Sequence, residues 1–264
     1  DIYPIILGII QGVTEWLPIS SKTQIMLAST FLLHINLSIA YVFGLFMEIG
    51  TIFSALVYFR KDIIKILKDK KMLFYVIIAT IFTGLVGVPL YFLSEHLLEG
   101  TYNLGLPMLI LGIILILNGL YINYSRKKIN LKERKDLNLR DVIIVGIAQG
   151  IAALPGVSRS GMTVSSMLLL KYNPEDAFSF SYILYIPAAL GAFFLTLLFS
   201  KSSIENVISS LSISGLIISI IVSFILGILT LDFLIKFAKK ENVYIVNYFL
   251  GIIEITFVLL SFTL

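Results

Sequence analysis

Residues 142–170 read VIIVGIAQGIAALPGVSRSGMTVSSMLLL, and residues 5–33 read IILGIIQGVTEWLPISSKTQIMLASTFLL. A membrane helix takes about 20 mostly apolar residues, and each stretch is long enough for one. Each is interrupted near its middle by a proline followed by hydroxyls and one base: LPGVSRSGMT at 154–163 and LPISSKTQ at 17–24. Proline removes a backbone donor and clashes with the preceding turn, so neither stretch continues as one helix. Polar backbone at membrane depth is tolerated only inside protein or beside water. Both stretches therefore read as re-entrant hairpins, running in to mid-membrane and back out on the same side.

The rest of the chain fits that setting. Of 264 residues, 58% are apolar and 14% charged, with a mean hydropathy of +0.98. Soluble domains carry about 25% charged residues, so a soluble enzyme, a disordered chain and a nucleic-acid binder are excluded. The net charge of +4 and pI near 9.1 do not restore nucleic acid, because the bases lie in short loops beside apolar spans, the usual orientation signal. Cysteine is absent and His34 and His96 are the two histidines, which excludes thiolate chemistry and a histidine-rich metal site. The N-terminal stretch has no charged n-region or small-residue cleavage site, so it does not read as a signal peptide.

Unbroken apolar stretches at 39–59, 73–93, 105–124, 177–199, 213–235 and 243–263 predict six transmembrane helices. The broken segments repeat: GIIQGVTEWLP at 8–18 reads against GIAQGIAALP at 146–155, and AYVFGLFMEIGTIFSALV at 40–57 against AFSFSYILYIPAALGAFF at 177–194. Three spans lie between the hairpins, so the second copy is inverted relative to the first, a membrane binding-site architecture. Expected, then, is one all-α integral membrane domain over 1–264. Repeat one covers about 1–93, a linker helix 105–124 and basic loop 125–141 follow, and repeat two covers about 142–264. Lys and Arg number 6 in 60–71, 7 in 125–141, 1 in 171–176 and 3 in 236–241. Six spans and two hairpins put these loops on one side, the cytoplasmic one. Hairpin one then opens from the outside.

Ionisable groups within the bilayer default to function. Arg159 is flanked by Ser158 and Ser160, with Gly156, Gly161 and Thr163 close by. Such a turn at a helix N-terminus presents N–H groups to an anion, and the guanidinium fork matches phosphate oxygens. The competing reading is a buried Arg–Glu pair that only joins two hairpins; both can hold at once. Glu15 shares a helix face with Gln11 at i,i+4; it can activate a hydroxyl or water, or hold a hard divalent cation. Ser20 and Ser21 are candidates for nucleophile or phosphate ligand, or for helix caps. Lys22 is a second phosphate cation or a snorkelling base. Glu48 pairs with Arg159 or Lys22, or extends a metal site. Asp232 stands four residues before Lys236, the spacing of a helix-end pair, and Glu254 has no evident partner. His34 reads as a solvated interface residue.

QGVTEWLPISSKTQ and PGVSRSGMT resemble the two signature stretches of the undecaprenyl-diphosphatase (BacA-type) family, E-G-x-T-E-[FW]-L-P-[IV]-S-S-T-G-H and P-G-x-S-R-S-G-x-T. The likeness continues through EIGTIFSALVYFRKDI at 48–63, PMLILGIILILNG at 107–119 and NVYIVNYFLGI at 242–252. It implies a multi-pass cell-membrane hydrolase with its active site accessible from the outer side. Such an enzyme removes the terminal phosphate of a long polyprenyl diphosphate to regenerate the lipid carrier, supported by a divalent cation (Mg or Ca). A homodimer is an open arrangement. The resemblance places the family's second Glu on Glu15, its paired serines on Ser20 and Ser21, and its phosphate-binding arginine on Arg159 with Ser158, Ser160 and Thr163 in the same loop. Together with the residue reading, Glu15, Ser21 and Arg159 are the expected catalytic residues; Gln11, Ser20, Lys22, Gln24, Ser158, Ser160 and Thr163 are expected to bind substrate; Glu15 and Glu48 are the expected metal ligands. Three positions depart from the pattern: Gln11 replaces the first Glu, Lys22-Thr23 the Thr-Gly, and Gln24 the histidine. Glutamine takes no proton at neutral pH, so Glu15, then Glu48, is the candidate base. The departures point to a divergent branch and leave a second reading, a polyprenyl-phosphate transporter or flippase that binds without hydrolysis. Phosphatases similar to the type-2 phosphatidic-acid class need motif histidines that are absent here, and no P-loop is present.

Overall fold

The computed structural model describes residues 2–100, 105–127, 132–238 and 244–261; a few side chains within these helices, that of Glu254 among them, lie outside the description. The described residues form α-helices, one 3-10 turn at Arg134–Asp136 and an isolated bridge between Lys132 and Tyr172. The helices are α1 (Tyr3–Thr14), α2 (Ser21–Leu33), α3 (Leu37–Phe46), α4 (Glu48–Tyr58), α5 (Arg60–Lys68) and α6 (Lys70–Leu98). They continue as α7 (Gly105–Arg126), α8 (Leu139–Ile151), α9 (Arg159–Leu169), α10 (Pro174–Phe199), α11 (Lys201–Ala238) and α12 (Tyr244–Ser261). Short polar side chains start several of them: Asn36 accepts from Ile39 N at 2.9 Å, and Asp69 from Lys71 N at 3.0 Å.

Among the described residues, five helices are long and apolar enough to cross a membrane: Leu37–Tyr58 (α3 with α4), Lys70–Leu98, Leu106–Arg126, Pro174–Phe199 and Lys201–Phe233. They match five of the six expected spans. The sixth stretch is helical over Tyr244–Ser261, but its described apolar part, Tyr244–Ile253, is shorter than a span. Within α11, Ser212 at φ 65 breaks the helix, so residues 201–211 form a separate piece where the sequence suggests only a loop. Loop 60–71 likewise holds α5. On α6, Phe74, Ile77, Ile81, Leu85, Val88 and Phe92 lie exposed at helical spacing. An apolar stripe that long fits a lipid neighbour, not water.

Each broken segment becomes two helices that pack on each other, α1 on α2 and α8 on α9. The first arm of each also packs on the last long helix of the opposite half, α1 on α11 and α8 on α6. The repeated glycines explain the closeness. A Cβ on Gly8 would stand 2.7 Å from Ser219 O and one on Gly12 2.9 Å from Ser223 O; a Cβ on Gly146 would stand 2.6 Å from Ala79 O and one on Gly150 2.9 Å from Thr83 O. Small residues four apart let membrane helices approach backbone to backbone. The α1–α11 and α8–α6 pairs thus hold the two breaks at fixed places, and α3, α4 and α10 pack around them.

Candidate active site

The first break runs from Glu15, which closes α1, to Ser20, held in the left-handed region at φ 62 just before α2. The second runs from Ala152 to Ser158, with Gly156 turning the chain at φ 84, a conformation that suits a residue without Cβ. Ser158 caps α9 by accepting from Gly161 N at 3.1 Å. No side chain caps α2, and an uncapped N-terminus leaves backbone donors for other acceptors.

Each break is braced from elsewhere through its backbone. Tyr41 Oη donates to Ala153 O at 2.7 Å, and Gly156 N donates to Thr23 Oγ1 at 2.8 Å. Lys22 Nζ donates to Ala152 O and, at 3.1 Å, to Val157 O. In return, Tyr182 Oη donates to Trp16 O at 3.0 Å, Asn118 Nδ2 to Pro18 O at 3.2 Å and Ser160 Oγ to Leu17 O at 3.3 Å. Carbonyls orphaned by the breaks are satisfied in this way, as buried polar backbone requires.

Between the breaks lies a cluster of buried charge. Glu15 is 2% exposed. Its Oε1 accepts from Arg159 Nη2, and its Oε2 accepts from Ser21 Oγ at 2.6 Å and Gln11 Nε2 at 2.7 Å. Glu48 Oε2 accepts from Arg159 Nη1 at 3.5 Å. The guanidinium lies 3.7 Å from the centroid of the Tyr185 ring, a cation–π contact that fixes its plane. Tyr185 Oη is 2.8 Å from Thr51 Oγ1, which also accepts from Gln11 Nε2 at 3.1 Å. A small pocket opens onto Glu15, Ser20, Ser21, Lys22, Glu48 and Arg159, with Ser158 and Ser160 on its second wall. The formal charges of two carboxylates and two bases balance, and the cluster is rich in donors and acceptors. One carboxylate thus holds a hydroxyl and a guanidinium together, the parts an oxygen nucleophile and a phosphoryl clamp need.

Residues 4–255 match the family model described as bacitracin resistance protein BacA. The chain belongs to this family. Relatives named undecaprenyl-diphosphatase include one from Sulfurisphaera tokodaii, 58% identical over 251 residues, covering 95% of this chain and 94% of that protein. Another, from Saccharolobus islandicus, is 53% identical over 247 residues, with 94% and 92% covered. One from Pyrobaculum aerophilum is 40% identical over 258 residues, with 95% and 94% covered.

Against the residues expected from the BacA resemblance, the structure brings Gln11, Glu15, Ser20, Ser21, Lys22, Glu48, Ser158, Arg159 and Ser160 together. It does not bring Gln24, whose Nε2 reaches back to Ile19 O at 3.4 Å, nor Thr163, whose hydroxyl bonds Arg159 O at 3.0 Å within α9. Neither lines the pocket. Lys22 neither snorkels nor waits free: two carbonyls of the second break hold its ammonium. Asp232 pairs with Lys236 at 2.6 Å on the surface. The side chain of Glu254 lies outside the described residues. Tyr185, Thr51, Tyr41 and Asn118 carry no mark in the sequence, since single polar residues in apolar helices are common. The one available signal is the repeat, which sets Tyr185 opposite Glu48 when Ala177 is aligned with Ala40.

Proposed function

We propose that this chain is a membrane phosphatase that removes the terminal phosphate of a long-chain polyprenyl diphosphate, leaving polyprenyl phosphate. The printed name of its relatives supports the substrate class. The observation that carries the chemistry is the double engagement of Glu15, with the Ser21 hydroxyl on one oxygen and Arg159 on the other. Ser21 Oγ attacks the terminal phosphorus and its proton passes to Glu15. The bond from that phosphorus to the bridging oxygen breaks, and polyprenyl phosphate leaves. Water then attacks the phosphoserine, Glu15 returns a proton to Ser21, and inorganic phosphate departs. Arg159 and the uncapped start of α2 stabilise charge on the equatorial oxygens, where most phosphoryl-transfer catalysis originates.

Glu15 and Glu48 are hard-oxygen donors meeting at one guanidinium, and Gln11 Oε1 is a buried acceptor without a partner. No set of three His, Cys, Asp or Glu able to hold a metal occurs among the described residues, so an all-protein cage is unsupported. Mg²⁺ commonly binds through one or two carboxylates plus substrate phosphates, and these residues fit that mode. A cation held by Glu15 and Glu48 would neutralise phosphoryl charge.

We read the two breaks as re-entrant hairpins in an inverted repeat. Their arms have 12, 13, 13 and 11 residues, about 17–20 Å at 1.5 Å per residue, short of a hydrocarbon core of about 30 Å. The exchange of partners, α1 on α11 and α8 on α6, supports the repeat. The basic loops support a cytoplasmic side, which leaves the active site accessible from the outer side of the cell membrane. The test is phosphate release from a long-chain polyprenyl diphosphate by the purified protein, with and without a divalent cation. Release matched by polyprenyl phosphate is expected; tight lipid binding with no release would make the chain a carrier of polyprenyl phosphates instead.

A further inference from the structure

Beside the charged pocket lies a second cavity, of about 190 Å³, which shares Lys22, Glu48 and Arg159 with it. Away from those residues the walls are small and mostly apolar. One wall is a stripe of α6 (Thr80, Thr83, Gly84, Gly87, Val88 and Tyr91), and the facing wall is a stripe of α10 from Pro187 to Leu195. An apolar cavity of about 150 Å³ holds a benzene-sized ligand, so this one has room for about one or two five-carbon isoprene units.

The glycines of this seam differ in kind from those that pack helices. A Cβ on Gly84 or on Gly191 would meet nothing within 4 Å. Glycine inside a helix is less stable than alanine, and no close contact here requires it. The equivalent seam in the other half, between α4 and α11, is shut. A Cβ on Gly50 there would stand 2.7 Å from Ile220 O, Gly227 lies against the Ser54 hydroxyl, and Ser54 Oγ donates to Phe224 O at 2.8 Å. Aligning Ala40 with Ala177 sets Ser54 opposite Gly191. Where one half closes with a serine, the other keeps a gap with a glycine. The gap reaches the lipid-facing side, for Gly191 is exposed and Leu85 and Phe194, next to the mouth, are 63% and 56% exposed.

We infer that Gly84 and Gly191 are specificity-determining residues that hold open an apolar slot between α6 and α10, through which the first isoprene units of the substrate lie while its diphosphate meets Arg159. This rests on the proposed activity and adds where the chain runs and what admits it. Such a slot, walled mostly by small and apolar residues, takes a flexible branched hydrocarbon.

The experiment compares Gly84→Leu and Gly191→Leu with Gly84→Ala and Gly191→Ala in purified protein. It measures steady-state hydrolysis of a long-chain polyprenyl diphosphate, direct binding of the corresponding polyprenyl monophosphate, and inhibition by inorganic phosphate. The leucine variants are expected to raise KM and weaken lipid binding at least 10-fold, with kcat within about 3-fold and phosphate inhibition unchanged. The alanine variants, whose Cβ enters the slot without reaching its far wall, are expected to shift KM and lipid binding in the same direction by less than the leucine variants do. Unchanged KM and lipid affinity in both leucine variants would overturn the slot, as would a fall in kcat with altered phosphate inhibition, which signals a distorted site. A parent that binds lipid but releases no phosphate would refute the proposed activity, while the binding measurements still decide the slot.

Discussion

Aligning Pro18 with Pro155 sets Ser21 opposite Ser158 and Lys22 opposite Arg159, yet the two breaks use these residues in opposite ways. Ser158 accepts from Gly161 N and caps its helix; Ser21 is the first residue of α2, behind a Ser20 that makes no side-chain cap, and gives its hydroxyl to Glu15. Lys22 ties down the carbonyls of the other break; Arg159 reaches the carboxylates and the Tyr185 ring. On the proposed mechanism, the same residue types at the same places divide into scaffold and chemistry. The division follows from where a carboxylate stands: the first break has Glu15 within reach of its serine, and the second has alanines at 152 and 153.

That contrast is open to attack at several points. The largest effect is expected at Glu15. Glu15→Gln keeps size and hydrogen bonding but removes the proton acceptor, and a general base contributes about 10²–10⁴-fold. Turnover should fall by that order while lipid binding persists; equal activity in variant and parent would remove Glu15 from the mechanism. Arg159→Lys retains charge but loses the fork that engages both carboxylates and the ring, and loss of one transition-state donor costs about 10²–10³-fold in kcat. Near-normal turnover in the lysine variant would leave Arg159 a structural tie.

Ser158→Ala should act mainly on stability. Loss of a cap costs about 1 kcal/mol, a fall in Tm of about 2–4 °C for a chain of this size, with activity reduced by less than about 10-fold. A collapse of kcat at unchanged Tm would move Ser158 from scaffold to chemistry. The smallest effect is expected from Gln24→His. Gln24 reaches Ile19 O rather than the pocket, so its replacement should change activity by no more than about 2-fold, the range of a neutral surface change. A gain above 10-fold, read from phosphate release, would show that position 24 supplies a base.

Much of this was legible in the sequence because membrane depth makes certain residues conspicuous. A proline amid apolar residues marked each break, and a lone Glu or Arg there had to have a partner, so Glu15, Glu48 and Arg159 could be grouped before any coordinates. Other features had no such mark. Residues 201–211 looked like loop because Ser and Asn dilute them, but Ile204, Val207 and Leu211 recur at helical spacing and are buried. Lys22 was seen as a phosphate ligand or a snorkelling base because its type and depth were readable and its direction was not. Tyr185 and Thr51 had no mark of their own, since packing of α10 on α9 brings Tyr185 to the guanidinium and packing of α4 on α1 brings Thr51 to Gln11. The empty seam at Gly84 and Gly191 was equally silent, because a glycine that makes room reads the same as one that permits contact.

The division between the breaks is tested most directly by measuring kcat and Tm for Ser21→Ala beside the parent, with a long-chain polyprenyl diphosphate as substrate. Ser21 caps nothing and its hydroxyl meets Glu15 at 2.6 Å. The expected result is a loss of at least about 10²-fold in kcat, the scale of a disabled nucleophile–base unit, at a Tm within about 2 °C of the parent. A Ser21→Ala protein that releases phosphate at the parent's rate would contradict the assignment of chemistry to the first break.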